Sequence, residues 1–167
     1  MKKVVERNYL EIKSVTDLKE SKVILEECLI QLIKPADFQI NKFFYKNVGK
    51  KHHWVDRLVW TDTEWIQYIS DKKVKTYVLK KNDNFAGYFE LIIHTDKDEV
   101  EIAYLGIFEE YRNQKLGSYL LSSAIKKAFL NKPKRVWVHT CSLDHKNALN
   151  NYLARGMKIF LTEEVII

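Results

Sequence analysis

The stretch from Val100 to Met157 constrains this chain more than any other. It runs VEIAYLGIF, EEYRNQKLGSYLL, RVWVHTCSLD and HKNALNNYLARGM, with a short spacer before the third segment. The pattern predicts a strand, a turn, an amphipathic helix, a second strand and a second helix. A buried strand that passes through a tight Gly-containing turn into a helix gathers free N–H groups and the positive end of the helix dipole at one point. Such a point binds anions, and a cofactor carrying a pyrophosphate is the first expectation. The crossover helix further requires its two flanking strands to lie parallel.

Upstream, the pattern predicts short strands over Tyr9–Lys13 and Glu27–Ile33, the second ended by Pro35. Phe38, Ile40, Phe44 and Tyr45 form the stripe of a helix over Asp37–Asn47, with Asp37 as its N-cap and Gly49 as its stop. Thr61 and Glu64 make a capping box that opens a second helix through Trp65, Ile66, Tyr68 and Ile69. Three β-rich runs follow, Val74–Leu79, Phe85–Ile93 and Glu99–Phe108, separated by the turn sequences NDN and TDKD. They predict an antiparallel meander. Then come a helix over Leu116–Leu130, a strand over Arg135–Cys141, a helix from an Asp144 cap to Arg155, and a last strand over Met157–Leu161. The fold class expected is therefore α/β: a mixed sheet with an antiparallel meander, one parallel β-α-β pair, and helices on both faces.

A chain of 167 residues, 46% of them hydrophobic, suffices for one domain with a buried core. The expectation is a single domain over 1–167, with residues 1–25 as an N-terminal extension and 26–161 as the core. Two cysteines cannot build a disulfide framework, and no signal peptide or membrane span is read in the chain, so a soluble cytoplasmic protein is expected. The net charge of +6 suits nucleic acid or small anions. Its densest basic cluster, Lys46–Arg57, is interrupted by apolar positions, so nucleic acid is not the expected partner. The segment HTCSLDH brings together His139, Cys141, Asp144 and His145, but no metal-ligand spacing supports it, and no metal is expected.

The turn Arg112-Asn113-Gln114-Lys115-Leu116-Gly117 resembles the Q/R-x-x-G-x-G/A phosphate turn of the GCN5-related N-acetyltransferases (GNAT), with Lys115 in place of a glycine. About thirty residues on, H-x-x-A-x-x-x-Y-x-x-x-G-M from His145 to Met157 is similar to that family's N-x-x-A-x-x-x-Y-x-x-x-G-F segment. The resemblance covers roughly Glu26–Leu161. It implies a GNAT fold, acetyl-coenzyme A as cofactor, and transfer of its acyl group to a primary amine. A homodimer is common in the family. If the turn needs a positive φ at Lys115, the side chain is strained there.

The resemblance also assigns site residues. Cofactor contacts fall on Leu105, Gly106 and Ile107 of the meander's last strand, on Arg112, Asn113, Gln114, Lys115, Leu116, Gly117 and Ser118, and on Asn147. Tyr152 holds the family's tyrosine position and would donate a proton to the departing thiolate. An amine is mostly protonated at neutral pH, so a base is needed. Glu101, the first polar residue of an apolar strand, is the leading candidate, and Glu90 on the neighbouring strand is the second. As bare sequence, each of these three residues also has an ordinary structural reading: a turn carboxylate in solvent for Glu101, a solvent-facing strand carboxylate for Glu90 and a core tyrosine for Tyr152. Tyr45, His53, Trp54 and Arg57, with His139, are expected at the acceptor amine, or else as packing beneath a loop. The acceptor stays open among small amines, amino acids, antibiotics, polyamines and protein N-termini. The alternative function is a catalytically silent module of the same fold that binds coenzyme A or a partner.

Overall fold

Local signals set most of the element boundaries in the computed structural model, which describes residues 1–23 and 25–167. The elements are β1 (Val4–Ile12), β2 (Cys28–Leu32), α1 (Phe38–Gly49), α2 (Asp62–Ser70), β3 (Val74–Lys81), β4 (Asn84–His94), β5 (Glu99–Ile107), α3 (Leu116–Phe129), β6 (Arg135–Cys141), α4 (Ala148–Ala154) and β7 (Lys158–Ile166). The Asp37 carboxylate accepts from the N–H groups of Gln39 and Ile40, which starts α1. The Thr61–Glu64 capping box forms as expected and starts α2. Asn82 and Asp83, with φ of 49° and 65°, make the two-residue turn that returns β3 into β4. Residues that tolerate left-handed backbone are what such a turn requires.

The sheet order is β2-β3-β4-β5-β6-β1-β7. Only β5 and β6 pair in parallel, joined by the α3 crossover, and every other pair is antiparallel. The mixed sheet with helices on both faces is the one the sequence pattern leads to. On one face, Leu10, Ile12, Val100, Ile102, Val136 and Val138 pack under Leu116, Leu120, Leu121, Ala124 and Ile125 of α3. Each such buried aliphatic side chain contributes about 1.5–3 kcal/mol. The other face is covered at its β3–β5 end by the aromatic residues of α1 and α2, including Phe44, Tyr45 and Trp65.

Three expectations require correction. The first concerns the N-terminal segment read as an extension strand or loop, whose strand β1 inserts between β6 and β7 with Leu10 fully buried. Next, Asp144 does not cap α4, whose N-cap is Asn147. Its carboxylate turns back to accept from the Thr140 hydroxyl and the Cys141 N–H, closing the loop after β6. Finally, the last strand runs to Ile166 rather than ending at Leu161, because its pairing with β1 continues to Ile166, with one register shift that leaves Phe160 without a partner.

Gly156 joins α4 to β7 at φ +98°, and a Cβ there would lie 2.3 Å from the backbone oxygen of Asp17. Neither the angle nor a backbone neighbour can yield cheaply. Gly156→Ala is expected to cost at least about 1–3 kcal/mol. A urea midpoint unchanged from the parent would contradict this.

Candidate active site

The parallel ladder between β5 and β6 consists of three residue pairs, Glu99–Arg135, Val100–Val136 and Glu101–Trp137. Beyond Glu101 the two strands diverge. The β5 edge from Ile102 to Ile107 therefore has no strand partner on its β6 side among the described residues, and its polar backbone groups face a gap. A bulge contributes to the divergence. The β4–β5 register passes from Leu91–Ile102 to Glu90–Tyr104 and leaves Ala103 over, so the bulge lies at Ala103. Gly106 serves a different end: a Cβ there would sit 2.2 Å from Cγ1 of Val48, so its absence lets α1 close on β5.

A cleft of about 880 Å³ opens from this gap and runs to the start of α3. That is the size of a small-molecule or cofactor site. Leu105, Gly106 and Ile107 line its middle, and Arg112, Asn113, Lys115, Leu116, Gly117, Ser118 and Asn147 line one end. Asn113 and Lys115 have φ of 62° and 61°, so the turn alternates left-handed with ordinary residues. The strain expected at Lys115 is present, and it costs about 1–2 kcal/mol. No side chain caps α3 at Lys115, which leaves the first N–H groups of the helix available to an anion.

Around that end, Arg112 Nη2 lies 3.1 Å from His52 Nε2. Arg112 can only donate, so the imidazole nitrogen accepts. A neutral His52 fits, since burial and then the Arg112 charge hold its pKa below the ordinary value. His145, in the position the family gives to Asn, is lowered in the same way by burial and by Arg112. Asn151 Nδ2 donates to the Gly117 carbonyl at 3.1 Å and ties α4 to the start of α3. Gln114 is the exception among the cofactor assignments. Its side chain accepts from Lys81 and does not line the cleft.

Tyr152 of α4 lines the cleft, with only 7% of its surface exposed. Among the described residues its hydroxyl makes no hydrogen bond. Burial, and secondarily Asp144, raise its pKa, so the phenol stays protonated and available as a donor.

The two expected bases are elsewhere. Glu90 is fully buried. Its Oε1 accepts from Arg57 Nη1 at 2.8 Å and from Asn41 at 2.9 Å, while Oε2 accepts from Arg57 Nη2 and the Tyr68 hydroxyl at 2.8 Å each. A carboxylate enclosed by four donors has no place for a substrate proton. Glu101 also stays outside the cleft, and its Oε1 pairs with His94 Nε2 at 3.0 Å. Both points are corrections to the sequence reading.

Arg57 and Tyr45 likewise leave the acceptor set. The Arg57 guanidinium is surrounded by the rings of Tyr45, Trp60, Trp65, Tyr68 and Tyr104, at 4.3–5.8 Å from their centroids. Burial opposes its charge, but the Glu90 hydrogen bonds and charge outweigh that and raise its pKa. Tyr45, fully buried, accepts from the Arg57 backbone N–H at 3.1 Å. This cluster anchors the loop between α1 and α2 to the sheet. On the cleft side of that loop, His53 and Trp54 line the wall.

His139 does line the cleft, two residues past the last β5–β6 pair, on the face that carries Trp137 and Tyr9. Its ring lies 5.5 Å from that of Tyr9. The side chain is exposed at the cleft wall, and partial desolvation first, with the charge of Arg7 second, holds it below the ordinary imidazole pKa, with Glu101, Asp144 and Glu163 opposing. The residues that sequence reasoning missed at this end are Lys3, Arg7 and Asp56. Lys3 and Arg7 were hidden because nothing local in residues 1–25 shows that β1 enters the sheet. Asp56 carries no signal apart from its place beside Arg57.

The family model "Acetyltransferase (GNAT) family" matches residues 38–157, well over half of the chain. No curated protein matches it. Among solved structures, it is similar to a GCN5-related N-acetyltransferase from Sphaerobacter thermophilus, at 11% identity and a TM-score of 0.71, covering 98% of this chain and 50% of the other. One from Kribbella flavida gives 14% identity and a TM-score of 0.69, covering 99% and 58%. The ribosomal-protein-S18-alanine N-acetyltransferase from Escherichia coli gives 15% identity and 0.59, covering 77% and 76%. The chain thus spans only about half to three fifths of the length of the neighbours that match nearly all of it. Among the described residues no helix is long and apolar enough to cross a membrane. With an open β5–β6 wedge leading to an uncapped helix N-terminus, and a family model spanning both, the chain belongs to the GNAT acetyltransferase family.

Proposed function

We propose that this protein transfers an acetyl group from acetyl-coenzyme A to a primary amine by direct attack. The observation that carries this reading is the unpaired β5 edge running from the bulge at Ala103 toward the uncapped start of α3. Acetyl-coenzyme A would supply an activated thioester there. The residues present fit it: backbone groups of Leu105–Ile107 would bind an amide-bearing arm, and Arg112 with the N–H groups of 113–118 would hold a pyrophosphate.

At the reacting end, Tyr152 would donate to the departing sulfur, whose thiol pKa is about 8.5. The base role passes from Glu101 to His139, which lines the cleft on β6. A neutral imidazole has a free nitrogen lone pair for the amine proton, and Glu101 on the same sheet face favours the charged imidazolium that results. The backbone of the bulge would polarise the carbonyl.

The test is thiol release from acetyl-coenzyme A over a panel of amines, with calorimetric binding of coenzyme A alongside. Absence of coenzyme A binding at micromolar concentration would overturn the reading. Binding without turnover of any amine would favour the silent module. Tyr152→Phe is expected to lower kcat by about 10²-fold while leaving coenzyme A affinity within a few-fold. Equal losses in both would mean that the hydroxyl has no role in the chemistry.

A further inference from the structure

The acceptor end of the cleft contains a cation with nothing to neutralise it. Arg7 lies on β1, directly across from Cys141 of β6 and Glu163 of β7, and lines the cleft. Among the described residues no carboxylate comes within 4.0 Å of its guanidinium. Glu163, the cross-strand neighbour best placed to do so, instead accepts from the Tyr9 hydroxyl at 2.7 Å. Asp144 is taken by Thr140 and the Cys141 N–H. The Arg7 Nε is buried and makes no hydrogen bond. Buried donors are almost always paired, and an orphaned one at the wall of a cleft points to a ligand acceptor atom.

We infer that Arg7 is the anchor for an acceptor carboxylate, so that the amine acetylated here belongs to an amino-acid-like molecule. The inference rests on the acyl-transfer reading of the same cleft. A guanidinium offers a planar fork that matches the two oxygens of a carboxylate, which a lone ammonium does not. Position supports the same assignment. β1 is the strand after β6, and adjacent strands lie about 4.8 Å apart. An anion held by Arg7 therefore lies on the sheet face next to His139, within reach of the wedge where the thioester carbonyl would sit. That span suits an amine and a carboxylate on one small molecule. Lys3, also at the cleft, adds positive charge on the same side. Asp56, on the opposite wall and outside every ion pair among the described residues, offers a complementary site for an ammonium group.

The anchor also bears on the base. Arg7 is the second cause, after desolvation, of the lowered His139 pKa. A bound carboxylate would offset that charge. Removal of Arg7 moves the acid limb of the pH profile to higher pH, a change that a residue with a purely structural role in β1 would not produce.

The experiment compares each common amino acid with its carboxamide and its decarboxylated amine, and includes phosphoethanolamine as a different anion. The expected result is a preference for the free carboxylate of about 10- to 150-fold in kcat/KM, the range of a hydrogen bond between charged groups. Arg7→Gln should abolish the preference mainly through KM, and Arg7→Lys should keep part of it. Thermal unfolding of both variants checks that β1 still pairs. Equal use of carboxylates and their carboxamides, unchanged selectivity in Arg7→Gln, or a preference for phosphoethanolamine would overturn the inference. Calorimetric binding of the amino acids to the parent and to Arg7→Gln separates the two layers. If they bind through Arg7 without being acetylated, the acyl-transfer reading fails and the anchor stands. If amines are acetylated without regard to a carboxylate, the anchor fails and acyl transfer stands.

Discussion

Glu90→Leu is expected to destabilise the protein by about 3–5 kcal/mol, the cost of leaving a buried charge without its partner. For a chain of this size that corresponds to a fall in Tm of roughly 6–20 °C. The reason lies in the geometry of the cluster. Glu90 is 0% and Arg57 6% exposed, and two 2.8 Å bonds join them. Removal of the carboxylate strands the guanidinium among five rings and deprives Tyr68 and Asn41 of an acceptor. The double variant Glu90→Leu with Arg57→Met should recover most of the loss, because two apolar side chains of similar volume leave no charge to compensate. Thermal and urea unfolding of the two single variants and the double variant measure the coupling. A loss below about 1 kcal/mol for Glu90→Leu would show that the pair is solvated like a surface ion pair. The same result would return Glu90 to the list of candidate bases.

His139→Gln is expected to lower kcat/KM by about 10²- to 10⁴-fold, the range for loss of a positioned base. The pH dependence identifies the group. The pKa of His139 is lowered from its ordinary 6.5, by desolvation first and by Arg7 second, while Glu101, Asp144 and Glu163 act the other way. The base form therefore predominates at pH 7. Activity of the parent should fall along an acid limb whose midpoint lies below the ordinary imidazole value, as protonation removes the lone pair. The variant should lose that acid limb. If kcat/KM is unchanged, or if the acid limb persists in His139→Gln, the proton goes elsewhere. Asp56, the other free group at this end of the cleft, is then the group to replace.

The two predictions draw on parts of the molecule that were unequally legible in the sequence. The turn before α3 was visible because its signal is local: Arg112 to Gly117 follow one another, and a strand, a turn and a helix declare themselves by period and punctuation. The same holds for the Asp37 cap, the Thr61–Glu64 box and the Asn82-Asp83 hairpin, all of which form. Tyr152 was found through its spacing within a family segment, and it does face the cleft. The two carboxylates had the right residue type on the right strands, but not the right surroundings. A one-residue bulge at Ala103 shifts which β4 residue faces which β5 residue, and no local pattern announces it. Arg57 and Glu90 are 33 positions apart, and the charge of each is what makes the other unavailable to substrate.

Residues 1–25 show the limit most plainly. The sequence marks a strand only over Tyr9–Lys13, whereas β1 spans Val4–Ile12, and its place in the sheet depends on β6 and β7, more than 120 residues away in sequence. Strand pairing over such a distance is chosen by the whole set of competing edges, so the chain's own period cannot name the partner. That placement brings Arg7 beside His139. The sequence by itself determined most of the element types, the mixed sheet and the turn that opens α3, because each follows from neighbours within a few residues. Only the tertiary structure decided which charged groups are paired with one another and which remain free to meet a substrate. That outcome depends on distances between strands and on exclusion of water, which no local window contains.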